Sequence, residues 1–384
     1  MKILHTSDWH LGRQFHGVSL EADHGAILSQ VMDAIVGHAP DVLIIAGDIF
    51  DRASPPADAI RQFNEFIGRV HRETQTAIVL IAGNHDSGDR IGSLAALADR
   101  NRVLIRGPLI RDDAPLLLAD EHGPVAISAL PFGNEYAARA CFEDNAIGSP
   151  ADVLGAQVAA ARGLVPAGAR WVVVAHAFIS DGIASDSERK LIVGGVETVP
   201  TSVFEGAHYV ALGHLHRPQR AGGEHLRYSG SPLAFGFDEA DAEKSMTLVT
   251  LGPDGVTDLI FLPFTPLRRV RVVVGSFDDL LAAAKAAPSD DFVKLVLTDA
   301  GAIVDAIGRV RDHYPNALAL SYARDEAGDA GGEAAPVPRA RLSDPMAVVH
   351  EFFQAIRPDA ALTDAEKTVV SESFRRLTSA EALA

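Results

Sequence analysis

The chain has 384 residues, and its 51 acidic residues outnumber its 34 basic ones, so the formal net charge is −17. A single hydrophobic core rarely grows past about 250–300 residues, so we expect two or more domains. The one cysteine, Cys141, cannot form an intrachain disulfide, which excludes a disulfide-stapled secreted scaffold. The acidic balance also excludes a protein that binds nucleic acid through a broad basic surface alone.

Long apolar segments are missing from the sequence. No apolar run reaches the roughly 7–15 residues of a signal peptide core or the roughly 20 of a membrane span. We therefore expect a soluble, cytoplasmic protein that does not associate with a membrane.

The first hundred residues repeat one pattern, in which a short apolar strand ends in a polar cluster and a helix follows. The pattern predicts strands at 2–6, 42–46 and 77–82, and helices at 22–38 and 57–72. Buried strands that alternate with helices predict an α/β fold of layered β-sheets flanked by helices. Functional groups in such folds lie on loops at the carboxyl ends of the strands.

Two further strands, 171–175 and 209–212, each lead into histidines. After about residue 225 the sequence changes to strands separated by Gly, Pro and Asp turns, at 226–228, 244–251 and 259–262.

From residue 267 a βαβαβ rhythm predicts a second, smaller α/β unit, with strands at 267–274, 292–298 and 317–322 and helices at 277–287 and 302–313. Residues 325–341 contain almost no large apolar side chain, which is typical of a flexible linker. Amphipathic patterns at 345–356 and 363–377 predict two helices that either pack on the body of the protein or dock on a partner.

These patterns predict four regions. The main domain spans 1–265, a small second domain 266–324, a linker 325–341 and C-terminal helices 342–384.

Five of the predicted strands lead into side chains that bind metal ions. In one α/β sheet the ends of these strands meet at one edge and bring the donors together. Carboxylate and imidazole suit Mn²⁺, Fe²⁺ or Zn²⁺, and the lack of thiolate argues against a structural zinc site. Seven donors are about right for two ions, with Asp48 as the bridging carboxylate. The donors are Asp8, His10, Asp48, Asn84, His176, His214 and His216.

A histidine beside this cluster is a candidate proton donor. His85 directly follows the predicted ligand Asn84, so the chain can direct it at the same pocket without its becoming a ligand. Asp51 lies three residues after Asp48, and its carboxylate can accept a hydrogen bond from His85 and orient the imidazole.

The same clusters carry a family resemblance. The stretches concerned read KILHTSDWHLG, AGDIFDRASPP, AGNHDS, ALGHLHRPQ and RYSGSP. They resemble the five motifs of the calcineurin-like metallophosphoesterase superfamily and, within it, the SbcD-type nucleases, which are relatives of the Mre-type DNA-repair nucleases. The resemblance covers most of the chain and implies a phosphoesterase core, a DNA-binding capping domain and C-terminal helices.

The resemblance also implies residue roles. One metal ion would be held by Asp8, His10, Asp48 and His216, and the other by Asp48, Asn84, His176 and His214. His85 would be the catalytic histidine. The ions would be two divalent cations, Mn²⁺ first, with Fe²⁺ and Zn²⁺ as alternatives.

A partner and an activity follow from the resemblance as well. The C-terminal helices would dock on an SbcC-type coiled-coil ATPase in a 2:2 complex, and the chain itself would form a homodimer. ATP would be bound by the partner, since this chain has no G-x-x-x-x-G-K-[ST] loop. The implied activity is ATP-dependent exonuclease action on double-stranded DNA ends and endonuclease action on hairpins and single strands, in repair, recombination and replication.

Several residues near the motifs are candidates for substrate contact. Phosphate contact and a surface salt bridge are equally balanced interpretations for the arginines, and a groove-lining role and a structural turn are equally balanced for the serines. These residues are Arg52, Arg90, Arg217, Ser229 and Ser231.

Two alternative functions remain open. The chain could be a metallophosphoesterase that acts on cyclic nucleotides or phosphoproteins, or a scaffold subunit with a vestigial site. The capping domain and the C-terminal helices favour a DNA-processing enzyme over the first alternative, and the complete donor set argues against the second.

Overall fold

The computed structural model describes residues 1–99, 102–180, 182–188, 198–325, 363 and 366–369. Met1–Leu320 form one compact unit, and Ser321–Ala384 form a second. The strands are β1 Lys2–Thr6, β2 Gln14–Phe15, β3 Val18–Ser19, β4 Val42–Ala46, β5 Ala77–Ile81, β6 Val103–Arg106, β7 Leu116–Asp120, β8 Gly123–Leu130, β9 Arg170–His176, β10 Tyr209–Gly213, β11 Gln219–Ala221, β12 Gly223–Tyr228, β13 Ser245–Gly252, β14 Gly255–Pro263, β15 Val270–Gly275, β16 Phe292–Leu297 and β17 Ala317–Tyr322. The helices are α1 Glu21–His38, α2 Ala57–Glu73, α3 Gly88–Ser93, α4 Glu135–Phe142, α5 Pro150–Gly163, α6 Phe277–Ala286 and α7 Ala306–Arg311.

Two six-stranded sheets form the main body. Their strand orders are β14-β13-β1-β4-β5-β6 and β11-β12-β10-β9-β8-β7. In the first sheet β1, β4, β5 and β6 run parallel, and in the second β8, β9, β10 and β12 run parallel. The parallel strands therefore present their carboxyl ends together, and antiparallel strands complete the first sheet on one side and the second at both edges.

Alternation along each strand produces the layers. Ile44 of β4 packs with Val174 of β9 in a core shared by the two sheets. Its neighbour Ile45 faces the other way and packs with residues of α1 and α2. On the far side of the second sheet, Val173 packs with Leu154 of α5. The body is thus a mixed α/β arrangement of two facing sheets with helices outside, as the sequence predicts.

A third sheet follows the main body along the chain. Its order is β15-β16-β17, and β15 and β16 run parallel as the βαβαβ rhythm requires. The helix expected at 302–313 is shorter in the structure, where α7 covers Ala306–Arg311. These strands lie almost wholly within the same compact unit as the two large sheets.

The longest stretch that was not predicted from the sequence lies between β5 and β9. Strands β6 to β8 and helices α4 and α5 occupy residues 103–163. β7 lies at the edge of its sheet, and although its burial alternates from residue to residue, its sequence LLLAD does not alternate between apolar and polar residues. β8 begins with Gly123 and Pro124, which are ordinarily signals of a turn.

Little of the C-terminal prediction can be compared with the structure. The linker beyond residue 325 and the helix at 345–356 lie outside the described residues. Of the helix predicted at 363–377, residues 363 and 366–369 are described, and 366–369 are helical whereas 363 is not. Among the described residues, no helix combines the length and the apolar character needed to cross a bilayer.

The core shared by the two sheets makes a stability prediction. Ile44 is fully buried there, so Ile44→Ala should lower the free energy of unfolding by about 2–5 kcal/mol. Val274, which is 62% exposed, offers a control, and Val274→Ala should change it by less than about 0.5 kcal/mol. Urea unfolding of both variants measures the difference, and equal effects would contradict the assigned core.

Candidate metal centre

The predicted donors lie at the carboxyl ends of five strands. Asp8 and His10 follow β1, and Asp48 follows β4. Asn84 follows β5, His176 is the last residue of β9, and His214 and His216 follow β10. The parallel order of both sheets brings all seven to one place, as the sequence predicts.

Asp48 lies between two groups of donors. Its Oδ2 is 3.6 Å from Nε2 of His10 and 3.5 Å from Nε2 of His176. On one side, Nε2 of His10 is 3.2 Å from Nε2 of His216. On the other side, Oδ1 of Asn84 is 2.9 Å from Nε2 of His176. Asp48 is therefore placed to serve both groups.

The remaining donors complete the two groups. Asp8, His10 and His216 have donor atoms that all lie within 4.8 Å of one another, and so do Asp8, Asp48 and His176. Nδ1 of His214 is 3.2 Å from Oδ1 of Asn84.

The backbone at the centre is strained. Asp8, His10 and Asp48 have φ angles of 53°, 47° and 48°, and His214 has 109°. A side chain with a Cβ atom seldom adopts such angles, and each costs about 1–3 kcal/mol. Hydrogen bonds hold the conformation: Asp8 N–H donates to the Gly47 carbonyl at 3.0 Å, and His10 N–H donates to the Asp48 carbonyl at 3.0 Å. Strain of this kind is typical of functional sites.

Two glycines explain the Gly-Asp and Gly-Asn pairs in the sequence. A Cβ atom on Gly83 would lie 2.2 Å from Oδ1 of Asp48, and one on Gly47 would lie 2.3 Å from Nδ1 of His176. Only glycine allows the donors to come this close to the neighbouring backbone.

Burial and charge act against each other in the cluster. Burial alone would raise the pKa of Asp48, yet the imidazoles around it, His176 first, hold this pKa well below its usual value. Burial likewise would lower the pKa of His176, but Asp48 raises it to about 9. Around Asp8 the nearby imidazoles do not outweigh the effect of burial, so burial raises its pKa to about 6. Burial lowers the pKa of His214 to about 3 and that of His10 well below its usual value.

The donor set fits divalent cations. Nδ1 of His176 lies 2.9 Å from the Ala46 carbonyl oxygen, which can only accept a hydrogen bond. Nδ1 therefore carries a proton. Nε2 also faces only acceptors, the oxygens of Asn84 and Asp48, so without a metal ion it carries a proton too, in agreement with the raised pKa. A bound cation would take the place of that Nε2 proton between the buried oxygens.

His85 lies beside this cluster, as expected, but its support differs from our expectation. Its ring stacks edge-on against that of His10 with a centroid separation of 4.7 Å. Its Nδ1 lies 2.9 Å from the main-chain carbonyl oxygen of Asp51, so the acceptor is not the Asp51 carboxylate. That carboxylate instead accepts from Arg13 at 3.3 Å, although one of its oxygens lies within 4.8 Å of a ring nitrogen of His85.

The candidate substrate residues fall into two classes. Arg52 and Arg90 are exposed, and Arg217 is partly exposed and donates to the carbonyl oxygen of Asp238. Ser229 and Ser231 are fully buried, with hydroxyls engaged by Ser7 and Leu233. The structure thus favours a structural role for both serines over the groove-lining role considered above.

Sequence reasoning missed several residues that support the centre. Asp86 accepts hydrogen bonds from the backbone N–H groups of Ile49, Phe50 and Gly83, at 3.1, 2.9 and 2.9 Å. Asp86 directly follows His85 in the AGNHDS motif, and this position was the only feature of the sequence that could have indicated its role. Others, which contact His216, come from separate segments with no pattern to reveal them: Ser187, Glu188, Glu239 and Lys244.

Comparison with known families agrees with this geometry. Residues 1–218 match the family model of the calcineurin-like phosphoesterases. Residues 263–357 match the model of the SbcD C-terminal domain, described as the type 5 capsule protein repressor C-terminal domain. The first match contains all seven donors and His85, and the second begins close to the predicted domain boundary.

The role of Asp86 makes a prediction. Asp86→Ala would leave three buried backbone N–H groups without an acceptor, each costing about 1–3 kcal/mol. We expect a free energy of unfolding lower by at least about 2 kcal/mol, measured by urea unfolding with a chelator present. Asp33, which is exposed on α1, provides the control, and Asp33→Ala should stay within about 0.5 kcal/mol. A neutral Asp86→Ala would show that the carboxylate does not hold these loops.

Proposed function

Because the chain belongs to the calcineurin-like phosphoesterase family and carries the C-terminal domain of SbcD-type nucleases, we propose that it hydrolyses phosphodiester bonds in DNA. In this proposal it is the nuclease subunit of a cytoplasmic SbcCD-type complex. It acts as an exonuclease on double-stranded ends and as an endonuclease on hairpins and single strands, in repair, recombination and replication. The observation that carries the proposal is the position of Asp48 between two donor groups.

Two divalent ions, Mn²⁺ first, are the proposed cofactors. Asp8, His10, Asp48 and His216 would hold one ion, and Asp48, Asn84, His176 and His214 the other, with Fe²⁺ and Zn²⁺ as alternatives. Bound there, the ions would supply Lewis-acid activation of the phosphodiester and of the attacking water.

His85 is the proposed proton donor. Nδ1 donates its hydrogen bond to the Asp51 carbonyl, so Nε2 is the ring atom free to deliver a proton. In the proposed reaction this proton goes to the alkoxide oxygen that leaves when the phosphodiester is cut. Asp51 orients the ring through its main chain, and its carboxylate holds Arg13 nearby.

Substrate contact is proposed for the exposed arginines. Arg52 and Arg90 follow the second and third motifs, and both guanidinium groups are open to solvent. Arg217 follows the last motif and is 38% exposed. Guanidinium groups bind phosphate oxygens in pairs, which suits the backbone of DNA.

The proposed partner is an SbcC-type coiled-coil ATPase in a 2:2 complex with a homodimer of this chain. The match to the SbcD C-terminal domain supports it. The capping domain at 266–324 would bind DNA, and the partner would supply the ATP dependence.

One experiment separates the candidate substrates. The full chain, alone and with its partner and ATP, is incubated with Mn²⁺ and either linear duplex DNA, hairpin DNA or cyclic nucleotides. We expect cleavage of both DNA substrates and none of the cyclic nucleotides. Cyclic nucleotides cleaved while DNA stays intact would make the chain a phosphoesterase of another class.

Two variants test the division of roles in the same assay. Asp48→Ala should lose bound metal and cleavage together, whereas His85→Gln should keep its metal content and lose about 10²–10⁴-fold in cleavage rate. His71, exposed near the end of α2, gives the control His71→Gln, which should cleave normally. Normal cleavage by His85→Gln would refute the assignment of the proton donor.

The partner proposal has its own prediction. A chain lacking residues 342–384 should no longer co-purify with the SbcC-type ATPase, because the proposed docking helices are gone. Its metal content should equal that of the full chain, since all seven donors precede residue 217. Size-exclusion chromatography of the mixed proteins, with metal analysis, measures both, and retained binding would reject the docking site.

A further inference from the structure

A buried ion pair beside the centre has no part in the chemistry described so far. Glu239 is fully buried and Lys244 is 8% exposed, and Oε2 of Glu239 pairs with Nζ of Lys244. Burying two charges costs several kcal/mol per ion unless their remaining hydrogen-bonding capacity is satisfied. The ammonium group uses all three protons, because Nζ also donates to the His216 carbonyl at 2.7 Å and to Oγ of Ser231 at 3.0 Å.

The second oxygen of this carboxylate leads back to a predicted metal ligand. Oε1 of Glu239 accepts a hydrogen bond from the hydroxyl of Ser187. The same hydroxyl oxygen lies 2.6 Å from Nδ1 of His216. Oε1 itself is 3.7 Å from that nitrogen, so the serine bridges the two groups.

The proton count fixes the direction of these bonds. A carboxylate can only accept, and a hydroxyl has one proton, so Ser187 gives its proton to Glu239. Its oxygen is then the acceptor for His216, and Nδ1 of His216 must carry the hydrogen. The neutral imidazole therefore keeps its lone pair on Nε2.

The main chain of His216 is held in the same way. Its N–H donates to Oε1 of Glu188 at 2.7 Å, and its carbonyl accepts from Lys244. Every polar group of His216 except Nε2 thus has a partner in this network. Nε2 points into the centre, 3.2 Å from Nε2 of His10.

We infer that Glu239, acting through Ser187 and balanced by Lys244, is a positioning residue that selects the Nδ1–H tautomer of His216 and directs its Nε2 lone pair at the metal ion. The inference rests on the proposed function, because it takes His216 as a ligand. None of these three residues lies in the strand-end motifs.

The tautomer can be measured without metal. Selective ¹⁵N labelling of histidine and NMR of the metal-free full chain report which ring nitrogen of His216 carries hydrogen, with the signal assigned by its loss in His216→Gln. The wild type should show hydrogen on Nδ1, and Ser187→Ala should shift the population toward Nε2–H. Hydrogen on Nε2 in the wild type would overturn the inference whatever the variants do.

Metal affinity gives the second readout. In calorimetric titration with Mn²⁺, Ser187→Ala should weaken one of two sites by about 10–100-fold. Ser187→Thr keeps the hydroxyl and should restore the affinity. Ser289 accepts from the backbone of Asp291 in the three-stranded sheet region, and Ser289→Ala should leave both sites unchanged.

The outcomes separate the two proposals. Unchanged affinity in Ser187→Ala would overturn the inference and leave the metal centre standing. A wild type that binds no Mn²⁺ but shows the Nδ1–H tautomer would instead overturn the metal centre and leave the network as found. Equal losses in Ser187→Ala and Ser187→Thr would show that the hydroxyl is not what matters.

Discussion

The burial of the Asp48 carboxylate is the constraint on which the centre depends. Asp48 is 2% exposed at the end of a central strand, where a lone carboxylate would be far too costly. The structure compensates with the imidazoles of His10 and His176 and with the N–H of His85, which donates to Oδ1 at 2.9 Å. Each of these groups lies at the carboxyl end of a different strand. The carboxylate can therefore be buried only because the sheet order brings these strand ends together.

The strained backbone follows from the same constraint. A donor can point back over the end of its own strand only if the chain turns sharply, and a positive φ achieves this in one residue. Asp8, His10 and Asp48 all do so. Gly47 and Gly83 lack the Cβ atoms that would collide with the side chains of His176 and Asp48. The free energy for this strain comes from the two large cores beneath, where Ile44 and Val173 are fully buried.

The sequence was informative where one residue type had one available role. Apolar runs that end in Asp, Asn or His predicted both the strands and the donors, because donor chemistry and strand periodicity coincide there. It was uninformative where partners depend on distant loops: the hydroxyl that links Glu239 to Nδ1 of His216 belongs to Ser187, 52 residues before Glu239 in the chain. Ser229 and Ser231 lie close to a motif, as the candidate arginines do. Nothing in the sequence predicted that both serines are fully buried. The contact between Asp51 and His85 was assigned to the wrong atoms for a related reason. The acceptor is the main-chain carbonyl of Asp51, which any residue type would offer, so the residue type gave no signal of it.

On the proposed assignment, the charge of the centre differs in sign from the net charge of the chain. Residues 1–265 carry 33 acidic and 20 basic residues, so the phosphoesterase region is more acidic than the rest, which is unexpected if the proposed substrate is DNA. Locally the balance differs, because Asp8 and Asp48 are the only carboxylates among the seven donors. On the proposed assignment two divalent ions would outweigh them and make the centre positive where a phosphate must lie. Affinity for DNA would then arise from the bound ions, the exposed arginines and the partner rather than from the overall field of this chain. On this proposal the chain would hold a phosphodiester weakly until its centre is filled, which would tie substrate binding to the state that can cut.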